Sequence, residues 1–238
     1  MGKSRKKQAT GASFSEKQKT ALEAISYGDP ELCRNLAGAD LRQLFNVDLQ
    51  VATEVYERLA EHKNVQVRAT LARNLDLKAF PKAAESLAEF YDDATLLALI
   101  DNPTLSHRVS LSITQSQNFT ARYTLASSER LKDFPEAAAE LVDDDLGIRC
   151  ALAKNPALAE LPATAMLLTK FKEAAIRQAL IGNPALEHLP DVALYLEQNI
   201  TDDGTWEALE KNPGFQSLRE KRTLEAMKEL GMNPETLG

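Results

Sequence analysis

The amino-acid sequence predicts an all-α protein, an α-solenoid in which paired antiparallel helices stack into a right-handed superhelix. The first observation behind this prediction is a short motif, Leu-x-x-Asn, which recurs in one register and is most often followed by Pro. Its fourth positions are Asn74, Asn102, Ser128, Asn155, Asn183 and Asn212, separated by 28, 26, 27, 28 and 29 residues. Repetition at such a period is typical of solenoids, in which each unit contacts mainly its neighbours.

The second observation is a set of columns that keep register with the motif. Four residues before each leucine stands a branched or small residue: Val67, Thr95, Ala121, Ile148, Ile176 and Thr205. One residue before each leucine stands a small residue: Thr70, Ala98, Thr124, Ala151, Ala179 and Ala208. These positions share one helical face and predict a buried stripe where another backbone approaches closely.

The repeat divides the chain into four predicted segments. We expect six to seven repeats of 26–29 residues, with Asn46 starting a degenerate first copy. The N-terminal cap is expected to hold a helix from Ser15 to Ser26, a second from Pro30 to Ala37 and a third near 41–45. The four predicted segments are a disordered basic tail over 1–13, an N-terminal helical cap over 14–42, solenoid repeats over 43–216, and a C-terminal capping helix and tail over 217–238. The C-terminal capping helix is expected to run from Ser217 to Leu230.

Each repeat is expected to begin with a short linker and a first helix that starts at proline, which is tolerated where the N–H lacks an intrahelical partner. The predicted first helices are 81–90, 135–142, 162–171 and 190–197. A turn rich in Asp or Asn follows and caps the second helix, a role we favour over metal binding because no calcium-loop pattern is present. The predicted second helices are 65–73, 94–101, 120–127, 146–154, 174–182 and 204–211.

Two polar columns are candidate sites. The asparagines Asn74, Asn102, Asn155, Asn183 and Asn212 end the second helices and are interpreted as a structural ladder that bonds to turn backbone. The second column consists of arginines, and it is interrupted by Leu96 and ended by Trp206. It admits two interpretations. Its arginines either pair with carboxylates of adjacent helices, or form a row that receives an acidic peptide or a phosphate backbone. The candidate binding surface is therefore Arg68, Arg122, Arg149, Arg177 and Trp206.

Charge is unevenly distributed over the 238 residues, whose net charge is −7. Residues 1–19 carry six basic side chains and one acidic one, which leaves −12 for the rest of the chain. An acidic body repels phosphate backbones at long range, so the tail is the segment expected to attract polyanions. The two cysteines, Cys33 and Cys150, lie far apart and fit a reducing cytosol, and the sequence shows no secretory signal or membrane span.

No motif for catalysis or cofactor binding is visible in the sequence. The histidines His62, His107 and His188 share no repeat position and no metal-ligand spacing. Neither a nucleophile elbow nor a phosphate-binding glycine loop occurs. We therefore expect no enzyme activity, no cofactor and no metal.

The units Ile148-Arg-Cys-Ala-Leu-Ala-Lys-Asn-Pro156, Ile176–Pro184 and Val67–Asn74 resemble the leucine-rich repeat variant family, a bacterial branch of the HEAT-like α-solenoids. The resemblance covers residues 43–215. Two features depart from the family: the repeats are longer than its unit of about 24 residues, and the cysteine cluster that holds an iron–sulfur centre in some members is absent. The resemblance implies an α-solenoid with a binding role and does not imply that cofactor.

The sequence thus predicts a cytoplasmic, monomeric protein-interaction scaffold that binds a protein or peptide partner on the solenoid surface and does not enter a membrane. The alternative is a nucleic-acid-binding HEAT-like protein that uses the basic tail and the arginine column. Salt-dependent binding to DNA would separate the two hypotheses.

Overall fold

A computed structural model describes residues 28–40, 49–200 and 203–230, together with Glu16, Thr20, Leu22, Glu23 and Ile25. Within these residues every regular element is a helix and no strand occurs. The prediction of an all-α protein is therefore confirmed. The chain divides into two compact units, residues 1–104 and residues 105–238, and each is described by itself.

The first unit contains five described α-helices. Helix α1 packs against α3, and α3 in turn packs against α5, while α2 packs against α4. A 3₁₀ helix, Leu75–Ala79, joins α3 to α4. The helices are α1 (Pro30–Gly38), α2 (Leu49–Ala60), α3 (Val65–Ala72), α4 (Pro81–Ala88) and α5 (Asp93–Asp101).

The second unit follows the same alternation of first and second helices. The second helices α7, α9 and α11 pack side by side, and the first helices α8, α10 and α12 form a second row. The helices are α6 (His107–Gln115), α7 (Phe119–Ser127), α8 (Pro135–Glu140), α9 (Leu146–Lys154), α10 (Pro162–Leu168), α11 (Ala174–Ile181), α12 (Pro190–Asn199), α13 (Asp203–Glu210) and α14 (Pro213–Glu229).

Local chemistry sets where these helices begin. Proline occupies the first turn of α4, α8, α10 and α12, and the apolar residue before it (Phe80, Phe134, Leu161 or Leu189) is buried. The second helices start from side-chain caps: Asn64 accepts a bond from Gln66 N–H, and Asp92 accepts one from Thr95 N–H. Such caps satisfy amide groups that the first turn of a helix leaves unpaired.

The core is built from the columns that the sequence shows. The leucines Leu71, Leu99, Leu125, Leu152, Leu180 and Leu209 are all buried. Ala98, Ala151 and Ala179 of the small column are buried too. Thr70 and Thr124 are only half-buried, however, and Ala208 is exposed on α13. The small column is therefore a buried contact only in part of the chain.

Several predicted boundaries need correction. Four of the linkers contain 3₁₀ helices: Leu75–Ala79 after Asn74, Glu129–Asp133 after Ser128, Pro156–Glu160 after Asn155 and Pro184–His188 after Asn183. The first helices α4, α8 and α10 end two or three residues earlier than predicted, and α12 ends two residues later. Helix α14 begins at Pro213 and not at Ser217, because Asn212 caps it by accepting a bond from Phe215 N–H.

Some predictions fall outside the described residues: the tail over 1–13, the helix near 41–45, Asn46 and the end of the chain after Leu230. In the first unit, Asn74 bonds to the carbonyls of Ala37 and Ala39, so α1 stands where the second helix of a preceding repeat would stand. No described helix is long and apolar enough to cross a membrane.

Candidate functional site

The asparagine column bonds each second helix to the one before it. Asn183 Nδ2 donates to two carbonyl oxygens of the preceding repeat, those of Ala153 at 2.9 Å and of Asn155 at 3.0 Å. Its Oδ1 accepts a bond from Ala185 N–H at 2.8 Å and so caps the following 3₁₀ helix. The same pattern of two donated bonds and one accepted bond recurs at Asn74, Asn102, Asn155 and Asn212.

This pattern uses both donors of a carboxamide, because the NH₂ group donates twice, and it uses the oxygen as an acceptor as well. Asn102, Asn155, Asn183 and Asn212 are buried, so their bonds are shielded from water. Ser128 occupies the column between Asn102 and Asn155 and accepts the capping bond from Arg130 N–H. A serine has no amide group and cannot make the two donated bonds. The side chains of these asparagines bond to backbone groups, and none has an unused amide donor for a ligand.

Arg68 of α3 is buried among partners from its own and the next repeat. Its Nη2 lies 2.6 Å from Asp92 Oδ2, and its Nη1 donates to the His62 carbonyl at 2.6 Å. The guanidinium lies 4.0 Å from the centroid of the Phe90 ring. The carboxylate, the carbonyl and the aromatic face all stabilise the guanidinium, whose buried Nε makes no hydrogen bond with the described residues.

Arg122 and Arg149 repeat this arrangement in the second unit. Arg122 Nε donates to Asp144 Oδ2 at 2.6 Å, and its Nη1 donates to the Ser116 carbonyl. Arg149 Nη1 lies 3.1 Å from Glu173 Oε1, with the guanidinium 4.3 Å from the Phe171 ring centroid. Three of the four arginines are therefore occupied by carboxylates, and they hold successive repeats together.

The other members of the column differ. Arg177 of α11 is half-buried, and its guanidinium makes no hydrogen bond or ion pair with any residue in the described part of the chain. Trp206 is half-buried and packs edge-to-face on Phe215 of α14, with ring centroids 6.5 Å apart. Leu96, which interrupts the column, is fully buried. The structure thus does not bring the five candidate residues together as one exposed row.

The paired acids come from the polar turns, which the sequence suggested only as caps. Asp92 fills both roles, since its Oδ1 caps α5 while its Oδ2 binds Arg68. The spacing from arginine to acid, 22 to 24 residues, is a signal that could have identified these pairs. No acid stands 22 to 24 residues after Leu96, where the arginine is also missing.

Two groups beside Arg68, Asp92 and His62, have pKa values below their ordinary values. Burial alone would raise the pKa of Asp92, but hydrogen bonds from Arg68 and Thr95 outweigh it and hold that pKa below its ordinary value. Burial lowers the pKa of His62, which is 7% exposed. The His62 Nδ1 accepts a bond from Asn64 N–H, while no described partner pairs with its buried Nε2.

A different surface in the second unit has the character of a contact site. Phe119 and Tyr123 of α7 stack with ring centroids 5.9 Å apart, yet they are 47% and 45% exposed. Leu146 of α9 is 44% exposed. The Phe119 ring lies over Gly147, where a Cβ atom would come within 3.4 Å of its Cζ, so the patch continues from α7 to α9. Large apolar side chains grouped in this way are unusual on a protein surface.

The surface continues over α11 and α13 with small, uncharged residues. Ala174 and Ala175 are exposed on α11. A shallow groove of about 330 Å³ follows, lined by Gln178, Ile181, Gly182, Gly204, Thr205 and Ala208. Apart from the arginine column along its edge, Lys154 is the charged side chain that α7, α9 and α11 expose. On α13 the exposed Glu207 stands at the repeat position of Tyr123 and Gln178, and it is paired with Lys211. We call this surface the uncharged face, defined by Phe119, Tyr123, Leu146, Cys150, Ala174, Ala175 and the residues of the groove.

The uncharged face does not follow from the buried columns of the sequence. The signal was present nine residues before the asparagine position, where Asp93 and Asp203 stand in two repeats but Phe119, Leu146 and Ala174 stand in the three between them. Apolar residues at a position that faces water in other repeats indicate a contact surface.

The described residues contain no cluster of three or more His, Cys, Asp or Glu side chains that could hold a metal ion. No family model matches the sequence, and neither a curated protein nor a solved structure is significantly similar to it.

Proposed function

We propose that the protein is an α-solenoid of about six to seven repeats, related in design to the leucine-rich repeat variant and HEAT-like proteins. The repeated bonding supports this proposal. Each ladder asparagine joins its turn to the turn of the preceding repeat, and each paired arginine joins its helix to the turn of the following one. Contacts between sequence neighbours at a fixed period are the basis of solenoid architecture.

We further propose that the protein is a non-catalytic interaction scaffold of the cytoplasm, and that the uncharged face binds a protein or peptide partner. The observation that carries this proposal is the exposure of Phe119, Tyr123 and Leu146 on a face almost free of charge. In a chain with 26% charged residues, such a face is a marked departure. Centres of protein interfaces are depleted in charge and enriched in aromatic side chains.

The energetics favour the same conclusion. Covering an exposed aromatic or leucine side chain stabilises a complex through the hydrophobic effect, by roughly 25 cal/mol for each Å² of apolar surface removed from water. The aromatic pair is already stacked, which limits the rotamer freedom lost on binding. The small residues of α11 and α13 allow the backbone of a partner to approach closely.

The alternative function, nucleic-acid binding by the basic tail and the arginine column, has less support. Arg68, Arg122 and Arg149 are each neutralised by a carboxylate, so the column does not offer a row of free cations to a phosphate backbone. The basic tail stays a candidate for polyanion contact by its composition alone, and it lies outside the described residues.

The test compares affinity purification with wild-type protein, with Tyr123→Asp and Leu146→Asp, and with Leu75→Asp as a control. Leu75 is 58% exposed in the first unit, so its variant matches the others in chemistry and exposure but lies off the uncharged face. We expect a partner that wild type and the control retain equally and that both face variants lose by about tenfold or more.

The partner identified in this way is then purified and its dissociation constant measured with each variant. Melting temperatures close to that of wild type would show that the variants remain folded. Equal binding by all four proteins would mean that the partner binds elsewhere, and the uncharged face would then have no role in recognition.

A further inference from the structure

Arg177 stands apart from the arginines that precede it in its column. Arg68, Arg122 and Arg149 each place a guanidinium nitrogen 2.6 to 3.1 Å from a carboxylate oxygen supplied by the next repeat. The guanidinium of Arg177 meets no carboxylate of the described chain, and it lines a cleft. Among the described residues, the same side chain in the same register therefore faces this cleft and not an acid.

The cleft lies between the turn that precedes α11 and the second half of α12. Its floor is apolar, formed by Leu168, Leu180 and Leu196, all buried. Its rim carries Lys170, Lys172, Arg177, Tyr195 and Asn199. Its volume is about 110 Å³. A water molecule occupies about 30 Å³ of liquid, so this space suits a group the size of a carboxylate with part of a side chain.

The charges around the cleft favour an anion. Three cationic side chains line it, in a chain whose net charge is −7. Two described acids close in sequence are engaged elsewhere, since Glu173 binds Arg149 and Glu197 binds Arg222. A guanidinium at the edge of an apolar floor binds a carboxylate strongly because little water competes.

We propose that this cleft binds a carboxylate group of the peptide partner, beside the uncharged face that holds the apolar part of that partner. Its biological use rests on the proposed scaffold function, whereas carboxylate binding itself can be measured with small molecules. Arg177 supplies the directional hydrogen bonds, Lys170 and Lys172 supply additional positive charge, and Tyr195 and Asn199 supply polar contacts. The partner is thus an acidic segment with apolar anchors.

The experiment follows ¹⁵N chemical shifts of the full chain during titration with small probes. N-acetyl-phenylalanine carries a terminal carboxylate, and its primary amide is the matched neutral probe. N-acetyl-aspartate α-methylamide carries a side-chain carboxylate alone, so the two acids distinguish recognition of a chain terminus from recognition of an acidic side chain. Inorganic phosphate serves as the general anion.

We expect saturable shifts at Arg177 and Tyr195 with a carboxylate probe, at a dissociation constant on the order of 1 mM, and none with the amide. Arg177→Met should weaken binding by about tenfold or more, whereas Lys154→Met, which removes an exposed cation from α9, should leave it unchanged. Tyr123→Asp should also leave it unchanged, so failure of the uncharged face and failure of the cleft are distinguishable.

Three results would overturn the proposal: no saturable binding, equal binding by Arg177→Met, or equal affinity for phosphate and the carboxylates. Asp202 lies outside the described residues and follows Arg177 at a spacing close to that of the internal pairs. Asp202→Asn is therefore titrated as well. Carboxylate binding that appears only in this variant would mean that Arg177 is reserved for an acid of its own chain.

Discussion

The side-chain amide of Asn183 donates to the backbone carbonyl of Asn155, its counterpart one repeat earlier, across 3.0 Å in the buried interior. A second bond to the Ala153 carbonyl accompanies it. The side chain of each ladder asparagine therefore completes backbone bonding in the preceding turn. This arrangement ties the end of one second helix to the next and gives the asparagine a role that only a carboxamide can fill.

Asn183→Asp should destabilise the protein by about 2–4 kcal/mol. The aspartate can still cap Ala185 N–H, but it cannot donate, and its charge would face two carbonyl oxygens in the interior. Asn64→Asp is the matched control, because Asn64 only accepts a bond, from Gln66 N–H at a helix N-terminus. Urea unfolding should find the control within about 0.5 kcal/mol of wild type. Equal stability of both variants would contradict the bonding role of Asn183.

Arg68→Met should cost about 2–4 kcal/mol, because it leaves Asp92 without its cation and the His62 carbonyl without its donor. The Arg68 side chain is only 6% exposed, so water cannot replace either bond easily. Arg73→Met, at an exposed arginine five residues later, should change stability little. The double variant Arg68→Met/Asp92→Asn should recover part of the loss, and a double-mutant cycle that shows no coupling would refute the pairing.

The second helices are the part of the fold that the sequence predicts most accurately. Observed helix α9 has the predicted bounds, Leu146–Lys154, because the cap at Asp145 and the asparagine after Lys154 mark both ends. The 3₁₀ linkers were missed since their short i→i+3 bonding leaves no hydrophobic period to detect. Helix α14 was placed too late because Asn212 was assigned to the ladder alone, whereas its Oδ1 also starts that helix.

The candidate site was predicted less well than the fold. The arginine column was found, but whether a guanidinium meets a carboxylate depends on where the next turn lies in space. Asp92 and Glu173 are N-cap residues of their helices, and Asp144 lies one residue before an N-cap, so their positions in sequence indicate capping before they indicate pairing with an arginine. Phe119 and Leu146 were overlooked because residue type alone does not distinguish an exposed apolar side chain from a buried one.

Stability should fall as the pH drops from about 7.5 to about 5.5, in part because of His62. Burial lowers the folded-state pKa of His62, so the unfolded chain binds the proton more readily. Its contribution is complete above the unfolded pKa of about 6.5 and is lost as the pH falls below that value. His62→Gln should lack this component of the pH dependence. Identical pH profiles of ΔG for both proteins would exclude His62 as the titrating group.

A second acid-dependent loss should come from Asp92 at lower pH. Its folded-state pKa is held below the ordinary value, so its stabilisation is present above about pH 3.9 and is lost as the pH falls through the folded pKa. Asp92→Asn, which cannot titrate, should show a smaller decrease in this range. A decrease as large as that of wild type would assign the acid transition to other carboxylates.

Ala179→Leu should destabilise the protein by about 1–3 kcal/mol, because Ala179 is 4% exposed on α11 and added volume would strain the packing. Ala208→Leu makes the same change at the corresponding position of α13, where the alanine is exposed. That variant should melt close to wild type. If Ala179→Leu were tolerated equally well, helix α11 would not be closely packed at this position.

Gly214→Ala should destabilise α14, since Gly214 brings this helix against the 3₁₀ helix Pro184–His188. A Cβ atom at Gly214 would lie 2.6 Å from the Pro184 carbonyl oxygen and 2.8 Å from Glu187 N, both backbone atoms that cannot rotate away. The expected cost is about 1–3 kcal/mol. Gly38→Ala is the control, because its Cβ would meet only Thr70 Cγ2, at an ordinary 3.5 Å.

The control should be neutral or gain up to about 1 kcal/mol, since alanine favours the helical state more than glycine does. Thermal and urea unfolding of both variants, monitored by circular dichroism, provide the comparison. A Gly214→Ala protein as stable as Gly38→Ala would mean that α14 can move away from Pro184 at little cost. The close approach of the two backbones would then reflect available space and not a contact that holds α14 in place.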